Sequence, residues 1–156
     1  MSPRGILYPN YKLMAEFRYQ IRRFLRFSED TARGGGLEPQ QYQLMLTLKS
    51  MDPEVPPRIG AVAERLQIQH HSTVELVDRL VRRALIRRRR SDSDRREVML
   101  ELTPRGDKVL HELALRHWVE YRDMAPGLIS ALKKVIRETQ TMNGSRPARS
   151  KATTRS

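Results

Sequence analysis

The sequence predicts a mainly α-helical chain carrying one short β-hairpin, and three observations support that assignment. Apolar residues recur every three or four positions over most of the 156 residues, the spacing of amphipathic helices. Between Leu85 and Leu102 that period gives way to alternation, the spacing of half-buried strands. Breakers at 34–36, 52–57 and 126–127 cut the helical pattern into separate pieces.

Residues 1–9 read as an irregular arm, interrupted by Pro3, Gly5 and Pro9. From Asn10 to Arg33, Leu13, Met14, Phe17, Ile21, Phe24 and Leu25 form one apolar stripe, so a first helix is expected to run to Gly34-Gly35-Gly36. Pro39 suits the first position of a second helix, whose inner side holds Tyr42, Leu44, Met45 and Leu48. The prolines at 53, 56 and 57 require a loop. A short third helix follows from Arg58 to Leu66, then the turn Gln67-Ile68-Gln69 and a fourth helix from His70 to Ala84.

Two short strands around the polar segment 91–96 make the hairpin: Leu85-Ile86 leading into Arg87–Arg90, and Glu97–Leu102. Thr103-Pro104 then starts a helix, with Thr as cap and Pro at the first position. Pro126-Gly127 is expected to end it, and a last helix carries Leu128, Ile129, Leu132, Val135 and Ile136. Residues 143–156 have basic charge and no apolar period, the composition of a disordered tail.

The chain holds 30 Lys plus Arg against 18 Asp plus Glu, a net charge of +12 that favours a polyanionic partner. With no cysteine, disulfides, thiol redox switches, thiolate zinc sites and cysteine nucleophiles are excluded. Adjacent His70 and His71 point about 100° apart on a helix, so they do not converge on a metal. His111 and His117 do not share a helix face and read as surface or interface positions. Phe17, Phe24, Tyr42, Trp118 and Tyr121 stand at helical spacing and read as core, with a ligand pocket as the alternative. No nucleophile–base pair, phosphate loop or metal-spaced cluster marks an enzyme, and no cofactor is expected. Without a signal peptide or a bilayer-length apolar run of about 20 residues, no membrane partner is expected, and the cytoplasm, in association with the nucleoid, is the expected location.

The organisation around the hairpin points to double-stranded DNA. Two short helices joined by a tight turn, followed at once by a hairpin, form a winged helix-turn-helix at 37–103. Its second helix fits the major groove, about 12 Å wide. The polar first turns of that helix, His70, His71, Ser72, Thr73 and Glu75, are expected at base edges. Arg95 and Arg96 sit at the wing tip, suited to a narrow minor groove of enhanced negative potential. Arg82, Arg83, Arg87, Arg88, Arg89 and Arg90 suit phosphates, which position a protein without specifying sequence. The same charge would also serve a nonspecific architectural DNA- or RNA-binding protein, the alternative reading.

The run VAERLQIQHHSTVELVDRLVRRALIRRRRSDSDRREVMLELTPRG, residues 62–106, resembles the MarR family of transcriptional regulators. The matching pieces are Val62–Leu66, Leu76–Leu80, Asp92–Arg96 and Leu102–Gly106, and LEPQQYQLMLTL resembles the family's preceding helix. The resemblance implies a homodimer, with 10–36 and 104–142 forming a helical dimerisation region through Leu13, Phe17, Ile21, Phe24, Leu113, Trp118, Leu128 and Leu132. It implies a pseudopalindromic operator, Arg96 in the minor groove and Asp94 bracing the wing by ion pairing. A repressor released by a small-molecule effector follows from the same resemblance, and no residue identifies that effector. The chain departs from the family at His70-His71, at Glu75 and at Arg58, where a Thr cap is usual and an arginine offers a phosphate contact.

Overall fold

The computed structural model describes residues 9–92 and 94–144. Residues 1–8 of the expected arm, Ser93 in the wing segment, and residues 145–156 of the expected tail lie outside the described residues. The elements follow in the order α1 (Tyr11–Gly34), α2 (Pro39–Ser50), α3 (Ile59–Leu66), α4 (His70–Arg82), β1 (Ile86–Arg90), β2 (Val98–Leu102) and α5 (Pro104–Gly144).

Local chemistry sets the helix ends. Asn10 Oδ1 accepts the Leu13 N–H at 3.0 Å, capping α1. At its other end Gly36 takes φ 79°, which glycine adopts without steric cost. Leu37 N–H then donates to Ala32 O at 3.0 Å and Gly36 N–H to Arg33 O at 2.9 Å, the two bonds of a Schellman stop. Pro39 opens α2, and Gln41 Oε1 accepts the Glu38 N–H at 3.1 Å. Gln67 (φ 55°) and Ala84 (φ 53°) end α3 and α4 in the same left-handed conformation. Ile68 N–H donates to Ala63 O and Leu85 N–H to Leu80 O across those stops.

The strands pair antiparallel, Ile86 opposite Leu102 and Arg90 opposite Val98. Thr103 fastens the hairpin to α5: its Oγ1 donates to Ala84 O at 2.7 Å and accepts the Gly106 N–H at 3.0 Å. A Cβ on Gly106 would lie 1.9 Å from Leu85 O, so no other residue fits this crossing. The core gathers Leu37, Tyr42, Leu44 and Met45 with Val62, Val77 and Leu80. Leu85, Ile86 and Leu100 from the hairpin, and Leu110 and Leu113 from α5, complete it.

The break expected at Pro126-Gly127 is absent: α5 is one helix of 41 residues with Pro126 inside it. A proline there removes one backbone bond and crowds the preceding turn, and α1 comes near the turns that follow it. A Cβ added at Gly127 would lie 3.1 Å from Gln20 Oε1, and Asn10 Nδ2 donates to Glu138 Oε1 at 3.3 Å. Helix therefore also covers 143 and 144, which were expected to be tail.

The chain divides into two compact units, one of residues Arg26–Tyr121 and one of residues up to Leu25 with those from Arg122 onward. Within the first, His117 is 1% exposed rather than at a surface or interface. Its Nδ1 lies 2.9 Å from Leu113 O and its Nε2 3.1 Å from Ser28 O, while the ring stacks on Tyr42 at 4.2 Å. The helical period explains the correction, since Leu110, Leu113 and His117 share one face of α5. Among the described residues no helix is long and apolar enough to cross a membrane.

Candidate nucleic-acid interface

All parts of the candidate interface belong to the unit Arg26–Tyr121. Helix α4 is anchored by buried Leu76, Val77 and Leu80 and presents exposed His70, His71 and Glu75, with Ser72 half-buried. Thr73, expected at base edges, is fully buried, and its Oγ1 donates to Gln69 O at 3.1 Å. It lies one turn before Val77 on the inner face, so a polar side chain there satisfies itself on its own helix. Glu75 pairs with Arg79 one turn on, at 3.5 Å.

The wing turn presents Arg95 and Arg96 as exposed side chains. Asp94 braces them through the backbone: its Oδ1 accepts the Arg96 N–H at 2.9 Å, and its carbonyl accepts the Glu97 N–H at 2.9 Å. This is an Asx turn rather than the expected ion pair. Ser91 N–H donates to Glu97 O at 2.9 Å, closing the loop.

The structure sorts the arginines into two sets. Arg87 pairs with Glu101 directly opposite it in the ladder. Arg88 reaches Asp78 on α4 at 2.6 Å. Arg89 lies between Asp92 at 2.9 Å and Glu101 at 3.7 Å, and the Asp92 hydrogen bond raises its pKa further. Arg58 holds Glu97 at 2.6 Å. Arg83 donates to Gln41 Oε1 at 3.0 Å and Gly36 O at 2.8 Å, joining α4 to the start of α2. By contrast Arg82, Arg90, Arg95 and Arg96 are exposed and make no side-chain hydrogen bond or ion pair among the described residues. Most of the paired set was not legible in the sequence, because most of its partners come from other elements.

The residues implied as dimerisation contacts are spread over both units. Trp118 (74% exposed) and Leu132 (44%) are open; Leu13, Phe17, Ile21, Phe24 and Leu128 are half-buried. Leu113 is corrected: at 2% exposure it belongs to the core of its own chain. Among the described residues no group of three His, Asp or Glu side chains could hold a metal ion.

The helix-turn-helix, the first strand of the hairpin and the basic wing tip lie within residues 35–97, which match the MarR family model. Over those residues the chain is similar to the MarR family, and the family model covers less than half of its length. The HTH-type transcriptional regulator YsmB of Bacillus subtilis (strain 168) is 29% identical over 66 residues. That match covers 42% of this chain and 45% of the relative, so the chain spans less than half of the relative's length. AbsC, a MarR family transcriptional regulator from Streptomyces coelicolor, shares the fold at TM-score 0.67 and 18% identity, covering 91% of this chain and all of AbsC. The repressor CouR, bound to a 23-mer DNA duplex, aligns at TM-score 0.56 and 29% identity over 76% of this chain and 87% of CouR. The MarR model ends at Glu97, so it takes in α3, α4, β1 and the wing tip.

Proposed function

We propose that this chain is a sequence-specific, double-stranded DNA-binding transcription regulator of the MarR type that works as a homodimer on a pseudopalindromic operator. One observation carries the reading above the others. An anchored helix offers His70 and His71 to solvent, and the adjoining wing tip holds two arginines that have no carboxylate partner among the described residues. A helix for the major groove and a wing for the minor groove divide the work between base readout and shape readout.

His70, His71 and Ser72 take the base edges, with Glu75 set to accept from cytosine N4. Arg96, with Arg95, enters the minor groove. Arg82 and Arg90 supply phosphate contacts, while Arg87, Arg88 and Arg89 hold the wing. Dimerisation draws support from the exposed apolar side chains of α1 and α5, including Tyr11, Met14, Leu115, Trp118 and Ile129, which a single chain leaves in water. Half-sites then fall one helical turn apart, about 34–36 Å.

CouR, which is a repressor and has also been seen with p-coumaroyl-CoA bound, supports repression and relief by a small ligand. The expected location is the cytoplasm, on the nucleoid. Arg96→Ala is expected to weaken operator binding by about 1–3 kcal/mol while leaving the dimer intact. Arg87→Ala is expected to change it far less, since Glu101 already holds that guanidinium. Quantitative footprint titration measures both, and unchanged binding by Arg96→Ala would overturn the wing assignment.

A further inference from the structure

Arg58 precedes α3 yet its side chain makes no cap hydrogen bond. Its Nη2 lies 2.6 Å from Glu97 Oε1 instead, with the two side chains 50% and 29% exposed. One residue earlier, the Pro57 carbonyl accepts the Leu100 N–H at 2.9 Å, on the buried centre of β2. The entry to the helix-turn-helix is thus joined to the wing at two adjacent points. Glu97 is also the residue that closes the wing turn, through its N–H to Asp94 O and its carbonyl to Ser91 N–H. Whatever holds Glu97 therefore sets where the backbone of Arg95 and Arg96 begins.

We propose that Arg58 and Glu97 are a positioning pair that fixes the wing tip relative to the recognition helix, and that Arg58 is not a phosphate contact. The inference rests on the DNA-binding reading above and deepens it. An ion pair this exposed contributes little to overall stability. Its effect lies in pre-organisation: a wing held in place before binding spends less ordering entropy on entering the groove.

The two roles for Arg58 predict opposite signs at Glu97. As a positioning pair, Arg58→Ala and Glu97→Gln each reduce the preference for operator over scrambled DNA by about two- to five-fold. The double exchange Arg58→Glu with Glu97→Arg then restores much of it. Hydroxyl-radical protection of the minor groove falls in the single variants, while methylation protection of guanine N7 in the major groove persists. A phosphate contact predicts that Arg58→Ala weakens all DNA equally and lowers the salt slope by about 0.9. Glu97→Gln would then tighten binding by freeing the guanidinium, and that result overturns the proposal.

Hydrogen exchange on the free protein tests the latch without DNA. Exchange at the Leu100 and Arg96 amides is expected to quicken in Glu97→Gln by about two- to five-fold, with the Leu80 amide unchanged. Unaltered exchange at Leu100 and Arg96 would overturn the positioning pair. Wild-type protein that shows no preference between DNAs would instead overturn the DNA-binding reading and leave the exchange result standing.

Discussion

Tyr42 lies beneath the His117 ring at 2% exposure, and its chemistry follows from that burial. Burial first, then the charges of Tyr121 and Glu120, push its phenol from 10.0 up to about 12. The folded chain therefore keeps a proton that the unfolded chain releases near pH 10, where a free tyrosine titrates. The resulting stability is complete below that pH and is lost as pH rises through about 12. Urea midpoints followed from pH 9 to 12 are expected to fall, and Tyr42→Phe to flatten that part of the fall. A wild-type midpoint as flat as the variant's would contradict the assignment. Tyr42 was legible as core from its helical spacing. His117 was not, because its acceptor on Ser28 lies 89 residues away in sequence. The arginines divide in the same way. Their run at 87–90 is plain in the sequence, but which of them are neutralised depends on strand register and on Asp78 of α4.

At the scale of elements, the helices and their stops follow from local signals: Asn10 as cap, Gly36 as left-handed stop, Pro39 and Thr103-Pro104 as starts. The hairpin was legible from alternation and the polar turn at 91–96. The failures came where tertiary partners outweighed a local rule. Pro126 reads as a breaker, yet α5 continues through it, with α1 near the turns that follow at Gly127 and Glu138. The helix tolerates the lost backbone bond to the Arg122 carbonyl at a cost, so Pro126→Ala is expected to stabilise the protein by up to about 3 kcal/mol. Thermal unfolding measures this, and a lowered midpoint would contradict a continuous helix. Thr73 and Leu113 show a second limit. Both were assigned outward roles that their place in the helical period forbids, since each lies in line with buried neighbours.

For the whole molecule, a net charge of +12 favours a polyanionic partner but does not by itself make binding selective. Several of the arginines around the wing are held by carboxylates of the same chain, while Arg82, Arg90, Arg95 and Arg96 have no such partner among the described residues, and these four are the proposed DNA contacts. The arginines therefore fall into two sets, one paired within the wing and its neighbours and one left for the proposed interface. In the proposed reading, selectivity comes from His70, His71 and the wing acting together, repeated by a second copy for which the exposed apolar side chains of α1 and α5 are the proposed contacts. The most direct test is fluorescence anisotropy on DNA immediately upstream of this protein's own gene, against a scrambled duplex, across a salt series. The account predicts two chains per site and a preference for the upstream DNA of at least about 10³-fold at physiological salt. Equal affinity for both duplexes, with a steep loss on raising salt, would contradict it and leave a nonspecific phosphate-binding protein.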